Sequence, residues 1–150
     1  MNKMTILAPT DFSELSNVAM EYAFSMANRF GAKIVFFHSL DWGKPTSGMA
    51  AFYEEVYVVT KERANALLND LVQRAKRMGI EAEAVVTDGS PFVEIIQTSR
   101  KIGAELIIMG THGRTGLSHV LIGSQAERVV RQASCPVLTV KSPTHVFAPV

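Results

Sequence analysis

The chain has 150 residues, 47% of them hydrophobic, with 15 Lys and Arg against 14 Asp and Glu and a net charge of +1. That length suits one domain around a single core. Charges of both signs are spread along it, which excludes the basic footprint of a nucleic-acid binder and the polar face of a membrane-surface helix. The longest apolar runs are strand-length, too short to span a bilayer. The N-terminus has too little apolar length for a signal peptide, and a single cysteine, Cys135, excludes an internal disulfide. These features together point to the cytoplasm.

Met4 to Ala8 is an apolar run closed by Pro9, the pattern of a buried parallel strand. Pro9-Thr10-Asp11-Phe12 reads as a turn and Ser13 as an N-cap. Leu15, Val18, Ala19, Tyr22, Ala23, Met26, Ala27 and Phe30 then follow helical spacing, and Gly31 stops that helix. Lys33 to Leu40 is the second strand. The Gly and Pro content of 41–48 makes a loop. A long helix is expected over about Phe52 to Met78, with Leu67, Leu68, Leu71, Val72 and Ala75 inward and Gly79 as its stop. Its front end conflicts with the β-prone Val56-Tyr57-Val58-Val59.

Ile80 to Thr87 alternates, with Ile80, Ala82, Ala84 and Val86 on the apolar side, so a third strand with one wetter face is expected. Asp88-Gly89 is a turn. Ser90 and Pro91 are N-cap and first helical residue, and Phe92, Ile95, Ile96 and Ile102 carry the third helix to Gly103. Glu105 to Met109 is the fourth strand. Ser124 and Glu127 have capping-box spacing, with Val129 and Val130 as the apolar positions of a short fourth helix. Pro136 to Val140 is the fifth strand, and Ser142 to Val150, with two prolines, reads as a loose tail. Strands alternating with helices predict an α/β fold: an open parallel sheet covered on both faces.

Function is concentrated in Met109 to Glu127, M-G-T-H-G-R-T-G-L-S-H-V-L-I-G-S-Q-A-E. Gly110 and Gly113 follow the fourth strand, and nine residues later Gly123-Ser124 opens a helix. Glycine lets the backbone turn sharply and approach a ligand closely. Successive N–H groups in a turn form an anion-binding concavity, and a helix N-terminus adds unpaired N–H groups and partial positive charge. These elements suit a phosphate chain gripped from two sides without a lysine. A glycine-rich connection with no ligand is the plainer alternative. There is no G-x-x-x-x-G-K followed by Ser or Thr, so this is not a P-loop, and no G-x-G-x-x-G follows the first strand. No cysteine–histidine cluster has metal-ligand spacing.

The pattern G, two residues, G, nine residues, G-S resembles the nucleotide-binding motif of the universal stress protein family, and the likeness runs from about Lys3 to Lys141. The resemblance implies a single domain, a five-stranded parallel sheet of order 3-2-1-4-5, and an adenine nucleotide (ATP, ADP or AMP) at the carboxyl ends of strands 1 and 4. There the winding reverses and ligands of open α/β sheets bind. It places Pro9, Thr10 and Asp11 beside adenine and ribose. Ser39 meets the adenine edge, and Met109 and Gly110 lie against the ribose and first phosphate. Gly113, Gly123 and Ser124 hold the outer phosphates. Gln125 stands where small apolar residues are frequent, which leaves its backbone N–H as the contact. Arg114 is within reach of a phosphate. Mg2+ or Mn2+ would enter with the phosphates. The family also pairs its last strand across a two-fold axis, which implies a homodimer through Pro136 to Val140.

The residues alone leave other roles open. Asp11 also suits a turn or cap, and Ser124 a cap closed by Glu127. Met109 suits the core. His112, Arg114 and His119 suit a solvated loop. His38 suits a packed histidine, Cys135 a buried inert thiol, and Trp42 either an adenine cover or a surface contact. Three functions compete. The chain is a nucleotide-binding regulator in stress response, a slow ATPase or phosphotransfer enzyme using Asp11, His112 or His119, or a nucleotide-free dimeric scaffold. Holding phosphates is not hydrolysing them, and the intact glycine pattern argues against the scaffold. The downstream partner is unspecified by sequence.

Overall fold

The first apolar run forms β1, Thr5–Pro9, and the alternation then proceeds through α1 Glu14–Phe30, β2 Lys33–Leu40, α2 Ala50–Arg77, β3 Ala82–Asp88, α3 Pro91–Ile102, β4 Leu106–Gly110, α4 Ser124–Gln132 and β5 Val137–Val140. This is a computed structural model, and it describes residues 2–43, 48–112 and 122–141. Gly113, Arg114, His119 and the expected tail 142–150 lie outside the described residues. The five strands pair in the order β3-β2-β1-β4-β5, and every pairing is parallel.

Strand alternation divides the interior into two layers. Ile6, Ala8, Ile34, Phe36 and Ile108 face Ala19, Met20, Ala23 and Phe24 of α1 and Leu68, Val72 and Ala75 of α2. Leu7, Val35, Phe37, Ile107 and Met109 face Ile95 and Ile96 of α3 and Ala126 and Val129 of α4. Helices therefore cover both faces of the sheet. The three central strands read as continuous apolar runs because both their faces are buried. Phe24 and Phe36 meet with centroids 5.6 Å apart, and full burial of a side chain of this size stabilises by roughly 1.5–3 kcal/mol.

The caps explain where the helices begin and end. Ser13 is the N-cap of α1, its side chain accepting from Ser16 N, and Gly31 ends the helix in the left-handed region at φ 63°. Gly103 does the same for α3 at φ 64°. Only glycine adopts that conformation without steric cost.

The long helix expected over about Phe52 to Met78 is present as α2, with Val56, Val58 and Val59 inside it. Tyr57 Oη donates to Asp88 Oδ1 at 2.6 Å and Tyr53 meets Trp42 edge-on at 5.6 Å, so tertiary contacts on a continuing helix override local β preference. Three expectations need correction. Ala84 is exposed, because β3 is an edge strand and α2 packs mainly on Ala82 and Val86. Val130 is 47% exposed while Ala126 takes its place in the core. Finally, Ser124 is the first residue of α4 rather than its cap. Gly123 is the N-cap and makes no side-chain bond, while the Glu127 carboxylate pairs with Arg131 at 2.8 Å.

Candidate functional site

The chain winds outward in both directions from β1 and β4, which lie side by side. A cavity of about 420 Å³ opens at their carboxyl ends. Pro9, Thr10 and Asp11 line it from the β1 side, Ser39 from the end of β2, Met109 and Gly110 from β4, and Gly123, Ser124 and Gln125 from the start of α4. The nucleotide-binding residues implied by the resemblance thus converge, apart from Gly113 and Arg114, which lie outside the described residues.

The β1–α1 turn is rigidly built. Asp11 Oδ1 accepts from Ser13 N at 3.0 Å and from Ser16 Oγ at 2.6 Å. Ser13 Oγ in turn accepts from Ser16 N at 3.2 Å. The turn-and-cap role of Asp11 is therefore real, and it fixes the carboxyl group at the cavity wall. Phe12 has φ 65°, unusual for a bulky residue. Its N–H is satisfied by Thr10 Oγ1 at 3.0 Å and its ring packs on His38 at 4.5 Å. His38 Nδ1 lies 2.7 Å from Thr10 O. A carbonyl only accepts, so Nδ1 carries the proton. His38 is a packed histidine that holds the turn.

The opposite wall is the N-terminus of α4. Gly123 N donates to Thr111 O at 2.6 Å. A Cβ on Gly123 would lie 2.8 Å from that oxygen and 3.4 Å from His112 Cα, so glycine is needed here for close approach of two backbones. The first intrahelical bond runs from Glu127 N to Gly123 O at 2.9 Å. The N–H groups of Ser124, Gln125 and Ala126 precede it, and all three residues line the cavity. Since Ser124 does not cap, its hydroxyl adds to this donor set. The N-terminus of α4, with its positive dipole and leading N–H groups, shares the cavity with the Thr10-Asp11 turn, and such a terminus suits an anion.

Gln125 has a structural task that sequence did not reveal. Its Oε1 accepts from Phe92 N at 2.9 Å, a first-turn donor of α3. Ser90, the expected cap of α3, makes no side-chain bond. Gln125 caps α3 across space, and Arg128 lies 4.9 Å over the Phe92 ring beside it. Gln125→Ala should lower stability by about 1 kcal/mol, the usual worth of a cap, read as a shift in the thermal midpoint. Glu at the same position should retain most of it.

Several lining residues were not foreseen. Ser16, Phe37, Pro91, Ile95, Thr111, Ile122 and Ala126 complete the wall. Ser16 carried a signal, a small polar residue at a buried helical position, 5% exposed. Ser39 Oγ is committed to Gly89 O at 2.7 Å, so its backbone is what it offers the cavity. His112 Nδ1 lies 3.1 Å from Thr111 Oγ1, and its buried Nε2 has no partner among the described residues. Trp42 packs on Tyr53 and does not line the cavity. Cys135 is half-buried, and burial pushes its thiol pKa up. Among the described residues no three His, Cys, Asp or Glu are grouped to hold a metal ion.

The profile of the universal stress protein family matches residues 3–141. The chain belongs to that family. A universal stress protein of Methanocaldococcus jannaschii, MJ0531, is 36% identical over 142 residues, spanning 92% of this chain and 82% of that one. The solved structure of MJ0577 from the same organism superposes with a TM-score of 0.83 at 27% identity, covering 95% of this chain and 98% of that one. A universal stress protein from Archaeoglobus fulgidus, solved in complex with dAMP, has the same fold, with a TM-score of 0.67 at 22% identity over 94% of this chain and all of that one. The β3-β2-β1-β4-β5 sheet of this universal stress protein is therefore that of its relatives. Among the described residues no helix is long and apolar enough to cross a membrane.

Proposed function

We propose that this universal stress protein binds an adenine nucleotide, ATP in the first place, in the cavity between the Thr10-Asp11 turn and the α4 N-terminus, and acts as a nucleotide-dependent regulator in stress response. One observation carries the reading. Ser124, Gln125 and Ala126, whose N–H groups precede the first intrahelical bond of α4, line the cavity, at the point where the winding of the sheet reverses. Phosphates meet donors and a positive dipole there. Pro9, Asp11 and Ser39 stand where adenine and ribose would lie, with Met109 and Gly110 at the ribose and first phosphate. The dAMP complex of the Archaeoglobus fulgidus relative supports the ligand class. In this reading Mg2+ or Mn2+ is held by the phosphates and water, since magnesium takes few protein ligands.

Titration calorimetry of nucleotide-free protein with ATP should give one saturable site per chain. Absence of titratable binding would overturn the reading and favour a nucleotide-free scaffold.

The reading also makes the protein a cytoplasmic homodimer. β5 is an edge strand. Val137 and Leu138 pack on the chain's own core layers, so the open feature is a row of backbone N–H and C=O groups, which pairing with a second β5 would satisfy. Sedimentation at micromolar concentration should show a dimer, and substituting proline for Thr139, whose N–H faces the open edge because Pro136 and Val140 turn their backbone groups to β4, should yield monomer. Wild type sedimenting as a monomer would remove the dimer from the account.

A further inference from the structure

A second cavity, of about 550 Å³, lies between α1 and α2, on the face of the sheet opposite α3 and α4. Ala64, Leu67 and Leu71 give it an apolar lining. The α2 helix enters at the carboxyl edge of the sheet, where Tyr57 reaches Asp88, so Thr60 and Arg63 lie near that edge. Asn17, one turn into α1, joins them, and Phe12 and His38 line the same cavity.

Its charge is unbalanced. Arg74 is answered, since both its terminal nitrogens donate to Glu21 at 2.6 and 2.8 Å and its guanidinium lies 4.5 Å from the Phe24 ring centroid. Arg63, Arg77 and Asp70 also line the groove, and none of them is in a salt bridge among the described residues. Two unanswered guanidiniums against one carboxylate leave a positive excess beside an apolar surface. Phe12 adds a second observation. It holds a left-handed backbone, φ 65°, an outlier that persists only where its surroundings enforce it. The result is a tilted aromatic pair with His38 at 36° at the edge of the groove.

We infer that this groove is a second ligand site, for a small anion that carries an aromatic ring. Arg63 receives the anionic group, since guanidinium matches phosphate or carboxylate in a fixed fork. Asn17 and Thr60 supply neutral donors, and the ring packs against Phe12 and Leu67. The site adjoins the first cavity at the β1–α1 turn, where His38 lines both, while Arg63, Thr60 and Leu67 belong to the second alone.

The test is titration of the full chain with phenyl phosphate, followed by NMR at the Leu67 and Leu71 methyls and the Phe12 ring. Saturable shifts are expected there. Arg63→Gln, at an exposed position, should weaken binding about tenfold, and Thr60→Val should weaken it less. Inorganic phosphate alone should bind about tenfold more weakly than phenyl phosphate, because it lacks the ring. No saturable shift, an affinity unchanged in both variants, or shifts confined to Met109 and Ile95 of the first cavity would each overturn the inference.

Discussion

Gly123→Ala is expected to weaken ATP binding by about thirtyfold, the factor that roughly 2 kcal/mol represents. The reason is local. Gly123 has φ −64°, so alanine suffers no backbone strain there. The obstacle is the Thr111 carbonyl oxygen, 2.8 Å from the new Cβ, with His112 Cα behind it at 3.4 Å. Both are backbone atoms and have no rotamer to escape into. The start of α4 must move away from the β4 exit, which breaks the 2.6 Å bond from Gly123 N to Thr111 O and takes the three leading N–H groups out of position. Overpacking of this kind destabilises by about 1–3 kcal/mol. Gly31→Ala is the control. It sits at φ 63° with nothing within 4 Å of the added carbon, so it should cost about 1–2 kcal/mol through the left-handed backbone alone. Its ATP affinity should equal that of wild type. Equal affinity losses in both variants would assign the Gly123 effect to general destabilisation.

Asp11 is expected to show two separable roles. Asp11→Ala removes the acceptor for Ser13 N and Ser16 Oγ and leaves the Ser16 hydroxyl, 5% exposed, without that partner. Hydrogen bonds to a charged group contribute about 1.5–3 kcal/mol, so the thermal midpoint should fall by roughly 5–10 °C for a chain of this size. Asp11→Asn keeps an oxygen in the same place and should hold the turn to within about 1 kcal/mol. If Asp11 also meets the ribose or an associated cation, the Asn variant should still lose about tenfold in ATP affinity. An Asn variant that binds ATP like wild type would leave Asp11 as a turn residue alone.

The fold was legible in the sequence because its signals are local and redundant. Continuous apolar runs at Ile6-Leu7-Ala8 and Ile34-Val35-Phe36-Phe37 mark strands buried on both faces, and Ser13, Gly31, Pro91 and Gly103 punctuate the helices where expected. The strand order came from the family resemblance, since periodicity alone does not order strands. The long second helix was legible although Val56 to Val59 look β-prone in isolation, and Tyr53 and Tyr57 tie that segment down. Readings failed where distant contacts decide. The Ser124–Glu127 spacing suggests a capping box, but the 2.6 Å contact of Gly123 with Thr111 makes Gly123 the cap and moves Ser124 inside the helix. Gln125 looked like a departure from a small apolar pattern, and only the fold brings it to Phe92 N, 33 residues away in the chain.

The candidate site was legible to the extent that glycine spacing announces close backbone approach. Gly123 carries that message directly. Ser16, Thr111 and Ile122 carry none, because their part in the cavity depends on which turns the sheet brings together.

The most direct measurement is to denature freshly purified wild-type protein and identify released nucleotide by chromatography. The account predicts an adenine nucleotide approaching one per chain, sharply reduced in Gly123→Ala and retained in Gly31→Ala. Wild-type protein that releases no nucleotide, and takes up none when ATP is supplied, would contradict it.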